Sequence, residues 1–146
     1  MIDAERIQTV RIPTAAGDLT GDLHVPPQPV GIVLFAHGSG SGRLSPRNQQ
    51  VAAALREGGL ATLLFDLLTP AEEQRDLRTG ELRFDIPLLA SRLTEASAFV
   101  AHEPRLARLP LGYFGASTGA AAALIAAAHG AVAAVVSRGG RPDLAE

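Results

Sequence analysis

Four apolar runs, at 30–36, 60–65, 109–114 and 131–136, restrict this chain more than any other feature. Each lacks the polar alternation of a half-exposed strand and so reads as a strand covered on both faces. Segments of helical spacing separate them. Pro46 to Glu57 carries Val51, Ala54 and Leu55 and closes at Gly58-Gly59. Ile86 to Val100 carries Leu88, Leu89, Leu93, Phe99 and Val100, and the Ala-rich stretch from Ser117 to His129 stops at Gly130. Buried strands alternating with helices are parallel βαβ units, which require helices on both faces of one sheet. Upstream, Ile7, Val10 and Ile12 are separated by polar residues, a turn falls at Ala15-Ala16-Gly17-Asp18, and 19–25 returns as a second strand. Pro26-Pro27-Gln28-Pro29 is a connector, because Pro cannot donate to a sheet ladder. The expected fold is α/β: a three-layer α/β/α sandwich with a mostly parallel sheet and an antiparallel N-terminal hairpin.

Composition narrows the chemistry. The 146 residues suit one domain over 1–146, and no internal repeat or second domain is visible. Absence of Cys excludes a disulfide scaffold, a thiolate metal site and a cysteine nucleophile. All 13 basic residues are Arg, so a Schiff-base or phosphate-loop Lys is excluded as well. A net charge of −2 without a dense basic run argues against a nucleic-acid partner. Met1 to Arg6 is charged and lacks a signal-peptide apolar core, and the weakly polar run 119–136 is broken by His129-Gly130. A cytoplasmic protein with no membrane partner is expected.

The sharpest chemical feature is Gly115-Ala116-Ser117-Thr118-Gly119, set between a buried strand and a helix. A tight strand-to-helix turn strains its central residue and needs small neighbours, so that Ser117 is lifted from the sheet edge beside free helix amides. Ser117 is therefore the candidate nucleophile. A second feature, His37-Gly38-Ser39-Gly40-Ser41-Gly42, follows the first buried strand. Acyl transfer needs two donors for the oxyanion. In this architecture they are the amides of Thr118, after the nucleophile, and of Ser39, in the glycine-rich loop.

His37-Gly38-Ser39-Gly40-Ser41, the strand ending Leu64-Phe65-Asp66 and the Ser117 elbow resemble the α/β-hydrolase superfamily, most closely its dienelactone hydrolase-like branch. The likeness runs from the opening hairpin to the strand ending at Val136. It implies a serine hydrolase acting on small-molecule carboxylic esters or lactones, with no cofactor and no metal. Dienelactone hydrolases use Cys where this sequence has Ser117, which shifts the expectation toward general carboxylic esters.

The resemblance also implies a triad acid and base after the nucleophile in chain order. Only 29 positions follow Ser117, and His129 is the sole His among them. Across a continuous helix the two would lie about 18 Å apart, with His129 as a C-terminal helix cation. His24 and His102 are expected at the surface, and His37 is a loop-shaping residue in the resemblance. Asp143 stands where some members of the superfamily place the acid. At roughly 30 residues per βαβ unit, about 60 to 70 residues of a complete sheet are not in the sequence. We therefore expect an incomplete α/β-hydrolase fold, the N-terminal portion of a longer hydrolase or one completed by a second chain, with 131–136 at the sheet edge.

Arg43, Arg47 and Arg138 fall on loops at the Ser117 end of the sheet, and Arg43 and Arg138 are candidate substrate-binding residues for an anionic group; ion pairing with nearby carboxylates is the alternative. Asp66 is expected to hold loop amides, and Glu72 to Arg83 to be a solvated loop or a lid. Against the hydrolase stand a non-catalytic remnant lacking a general base and a nucleotide-binding domain. The latter lacks a third fingerprint Gly, with Arg43 in its place.

Overall fold

The computed structural model describes residues 7–139. Strands β1 (Ile7–Thr14) and β2 (Gly17–His24) form the antiparallel hairpin, joined through Ala15-Ala16. The Thr14 hydroxyl closes the turn, donating to the Gly17 carbonyl at 2.6 Å and accepting from the Ala16 amide at 3.1 Å. Then follow β3 (Gly31–Ala36), α1 (Pro46–Glu57), β4 (Leu60–Phe65), α2 (Pro70–Thr79), α3 (Ile86–Ala101), β5 (Leu111–Ala116), α4 (Thr118–Ala128) and β6 (Ala134–Arg138). The strand order is β1-β2-β4-β3-β5-β6; β2 pairs antiparallel with β4, and β4, β3, β5 and β6 run parallel. This is a mixed six-stranded sheet with four helices.

Alternation along the central strands feeds two separate cores. Ile32 and Leu34 of β3, with Leu63 and Phe65 of β4, pack with Leu89 and Leu93 of α3 and Ala121 to Ala123 of α4. Phe35, Leu64 and Phe114 face the other way, against Ala52 of α1, with the Phe35 and Phe114 ring centroids 5.1 Å apart. The sheet is thus sandwiched by α1 on one side and by α3 and α4 on the other.

Three expectations are corrected. The third apolar run is displaced, because Pro110 has no amide to donate and β5 begins at Leu111; the Pro110 carbonyl instead accepts from the Ile32 amide. The run 131–136 is not a buried strand. β6 starts at Ala134, is the last strand among the described residues, and leaves Val136 52% exposed. Finally, the segment from Glu72 to Arg83, expected as a solvated loop or lid, lies largely in a capped helix, α2. Thr69 accepts from the Glu72 amide while Glu72 reaches back to the Thr69 amide, Pro70 opens the helix, and Gly80 ends it at φ 69°. That capping box and terminal Gly were present in the sequence; the helix lacks an apolar stripe, which hid it.

What docks α2 is charge. Arg92 of α3, 3% exposed, donates to both Glu72 carboxylate oxygens (2.6 and 2.7 Å) and to the Leu67 carbonyl. The Arg92 guanidinium holds the Glu72 carboxyl down to about 2, overriding a partial burial that pushes the other way. Because the folded value lies below the ordinary 4.5, this contribution is complete above pH 4.5 and is lost as pH falls toward 2. Glu72→Gln strands a buried guanidinium and is expected to cost about 3 kcal/mol at pH 7. Urea melts at pH 7 and pH 3 check this: the variant's deficit should shrink at the lower pH.

Candidate active site

Ser117 sits between β5 and α4 with φ 56° and ψ −123°, a backbone conformation that side-chain-bearing residues adopt only under constraint. The constraint is visible on both sides. A Cβ on Gly115 would stand 2.5 Å from the Ala120 Cα, and one on Gly119 would fall on the carbonyls of Ala36 and His37. Helix α4 is therefore pressed onto β5 and the end of β3 at contact distances only glycine permits, and the chain between them must turn at Ser117. The turn is tied to the neighbouring strand by the Ser117 amide, which donates to the Arg138 carbonyl at 3.2 Å. The Ser117 hydroxyl forms no capping bond to its own helix.

The loop after β3 lies directly against this turn. A Cβ on Gly38 would meet the Ser117 Cβ at 3.0 Å and its Oγ at 3.7 Å. His37, Gly38, Ser39, Gly40, Ser41 and Thr118 line one cleft of about 280 Å³, whose other walls are Leu68, Leu89, Glu73, Asp76, Leu77 and Arg83. Within the loop Ser41 donates to the Gly38 carbonyl, and α4 makes its first bond from the Ala120 amide to the Ser117 carbonyl. The Ser39 and Thr118 amides have no acceptor among the described residues.

His37 fixes the loop. Its Nε2 accepts from the Leu67 amide at 3.0 Å, which leaves Nδ1–H to donate to the Gly38 carbonyl at 2.9 Å. Burial pushes its imidazole below the usual value, against the opposing pull of the Gly38 carbonyl and the Asp66 charge. Neutral and bonded at both nitrogens, His37 ties the β3 loop to the β4 loop and has no lone pair left for a reacting proton. The other imidazoles are remote in the fold. His102 caps the end of α3 through the Ala98 carbonyl, exposed His129 ends α4, and His24 ends β2, where it is partly exposed. Asp143 lies outside the described residues.

The arginines expected at an anionic substrate have other partners. Arg43 bridges Asp22 (3.2 Å) and Asp66 (2.8 Å), and its amide donates to Asp66 Oδ1, so Asp66 does hold a loop amide. Arg138 donates to Asn48 Oδ1 at 2.9 Å and stacks over the Phe114 ring at 5.5 Å, on the α1 side of the sheet. Arg47 lies within α1 rather than on a loop. Sequence reasoning missed the α2 wall of the cleft. Asp76, 7% exposed, holds the Leu82 and Arg83 amides and the Arg83 guanidinium, which folds the 80–83 turn against the helix.

Among the described residues of the site, the Thr118 hydroxyl is buried and has no hydrogen-bond partner. Such a group costs about 1–3 kcal/mol. Thr118→Val keeps shape and backbone amide, and is expected to raise stability by about 1 kcal/mol, measured as a shift in the urea midpoint. Among the described residues no group of three or more His, Asp or Glu could hold a metal, and no helix is long and apolar enough to cross a membrane.

A mixed sheet in this order, with a strained serine between the fifth strand and the next helix and a glycine loop from the third strand packed on it, is the architecture of an α/β hydrolase. Comparison with known proteins agrees. A dienelactone hydrolase from Anabaena variabilis, seen in a crystal structure, is 57% identical, with a TM-score of 0.94 over 97% of this chain and 67% of that one. The chain belongs to the α/β-hydrolase superfamily, in its dienelactone hydrolase-like branch. Two solved structures share the fold at lower identity: a dienelactone hydrolase-like promiscuous phosphotriesterase from metagenomic libraries (20% identical, TM-score 0.71, 94% of this chain and 60% of that one) and Est1E from Butyrivibrio proteoclasticus (17%, 0.70, 87% and 48%). Proteins from two strains of Mycobacterium tuberculosis, provisionally named phosphoribosyl transferases, are 57% identical over 143 residues. The match covers 97% of this chain, which spans only 31% of the length of those curated relatives. No family profile matches the chain.

Proposed function

We propose that the protein is a serine hydrolase of carboxylic esters or lactones, with Ser117 as nucleophile and the Ser39 and Thr118 amides as the oxyanion hole. The observation that carries this reading is the positive φ of Ser117, held by glycine-only contacts on both sides while Gly38 packs against its side chain. Strain of this kind persists only where the surroundings impose it, and it clusters at reacting groups. The Ser117 oxygen attacks the carbonyl carbon and its proton passes to a base. The carbonyl oxygen gathers negative charge, which the two amides stabilise; the carbon–oxygen bond to the alcohol then breaks, and the alcohol leaves with that proton. Water releases the acid by the same sequence. None of the imidazoles at 24, 37, 102 and 129 is placed to serve as the base, so the reading requires one from outside the described residues. It also requires the whole protein for its test.

The nucleotide-binding reading has no support in the geometry, since the glycine loop packs on Ser117. The transferase name of the mycobacterial relatives belongs to chains of which this one matches 31%, and the part they share is similar to a hydrolase. A fluorophosphonate probe decides between the hydrolase and a non-catalytic remnant. The whole protein is expected to be labelled at Ser117 and the Ser117→Ala variant is not; an unlabelled, folded wild type leaves the remnant.

A further inference from the structure

Charge around the cleft is lopsided, and its balance runs against an anionic substrate. Glu73, in the first turns of α2, lines both the cleft at Gly38 to Ser41 and a neighbouring groove of about 280 Å³ formed with Thr20, Arg43, Asp66, Leu68, Pro70 and Gln74. Among the described residues the other charged groups of this rim are paired. Asp76 pairs with Arg83 at 3.0 Å, and Arg43 is shared between Asp22 and Asp66. Nearby Glu72 is neutralised by Arg92. Among the described residues lining the two grooves, three carboxylates, Asp66, Glu73 and Asp76, thus face two guanidiniums, Arg43 and Arg83, leaving a net charge of −1. Among the described residues Glu73 has no ion-pair partner. Desolvation, then the charges of Asp66 and Asp76, push its carboxyl above the ordinary value, against the opposing pull of the Arg83 guanidinium.

We propose that Glu73 sets the charge preference of this site, admitting esters that are neutral or cationic and disfavouring those that carry a carboxylate. This rests on the hydrolase reading and deepens it. A charge at the wall of a cleft acts on the encounter and on the bound state of every charged substrate, and leaves a neutral one nearly untouched. Glu73 bonds to no other side chain, so its charge can be removed without dismantling the site. By contrast, Asp66 or Asp76 would take loop amides with it.

The test compares kcat/KM of the whole protein on three p-nitrophenyl esters: neutral acetate, anionic glutarate monoester and cationic 4-(trimethylammonio)butyrate. Wild type is expected to favour the neutral and cationic esters. Glu73→Gln should raise the anionic-to-neutral ratio by about 3- to 10-fold, and Glu73→Lys should raise it further while lowering the cationic-to-neutral ratio. These differences should shrink as salt is raised to about 0.5 M. Hydrolysis of all three esters with ratios unmoved by either variant overturns the assignment to Glu73. A wild type that prefers the glutarate overturns the charge preference itself. Failure to hydrolyse any of them, together with no phosphonate labelling, brings down the hydrolase reading instead.

Discussion

Ser117→Ala in the whole protein is expected to lower ester turnover by about 10⁴- to 10⁶-fold while leaving the fold intact. The size of the loss follows from the role proposed for Ser117: without a nucleophilic oxygen no acyl-enzyme would form, and the proposed oxyanion amides would act only on the slow direct attack of water. The fold survives because the Ser117 hydroxyl caps nothing in α4. A companion variant separates chemistry from backbone strain. At φ 56° a glycine is unstrained where serine is not, so Ser117→Gly should be equally inactive and yet more stable than wild type by about 1 kcal/mol. Turnover of a p-nitrophenyl ester and a urea melt measure the two effects separately. Loss of activity coupled to a gain in stability is the signature of strain held at a reacting group; equal stability of the Gly and Ala variants would remove the strain argument.

Gly119→Ala should be the most damaging single-methyl change in the fold, costing about 3–5 kcal/mol. The added carbon would lie on the Ala36 and His37 carbonyl oxygens, which belong to the end of β3 and the start of the glycine loop. Backbone cannot rotate away as a flexible side chain can. Relief requires α4 to lift from the sheet, carrying Thr118 and the cleft with it. Gly40→Ala is the control: it has a positive φ of 72° but open space around it, so only about 1 kcal/mol of backbone cost is expected. Chemical melts of the two variants should therefore differ by at least about 2 kcal/mol. Equal losses would mean that conformation, not the close approach of α4, makes Gly119 necessary.

Both predictions depend on a turn that was legible from residue types alone. A buried strand, Gly-x-Ser-x-Gly and an Ala-rich helix in that order leave the chain few other ways to fold, because each small residue is demanded by a contact between main chains. The hairpin, the parallel strands and the layer arrangement were readable for a similar reason: alternation and apolar runs record which faces are covered. Helix α2 was overlooked because it is held by the Glu72–Arg92 pair and by caps, and the apolar period carries no trace of either. The limits of β5 and β6 shifted because a strand ends where its partners' amides and carbonyls end, not where apolar residues do.

Local order along the chain thus determined the architecture, the position of Ser117 and the loop that packs on it, since these follow from backbone geometry and side-chain size. Tertiary structure alone decided the electrostatics. Arg43 and Arg138, adjacent to the site by sequence logic, are drawn off by Asp22, Asp66, Asn48 and Phe114 from distant segments, while Glu73, inconspicuous in a polar stretch, is left facing the cleft. Ion pairing is satisfied between residues far apart in the chain. Which charge remains for a substrate is therefore a property of the folded surface and cannot be read from spacing.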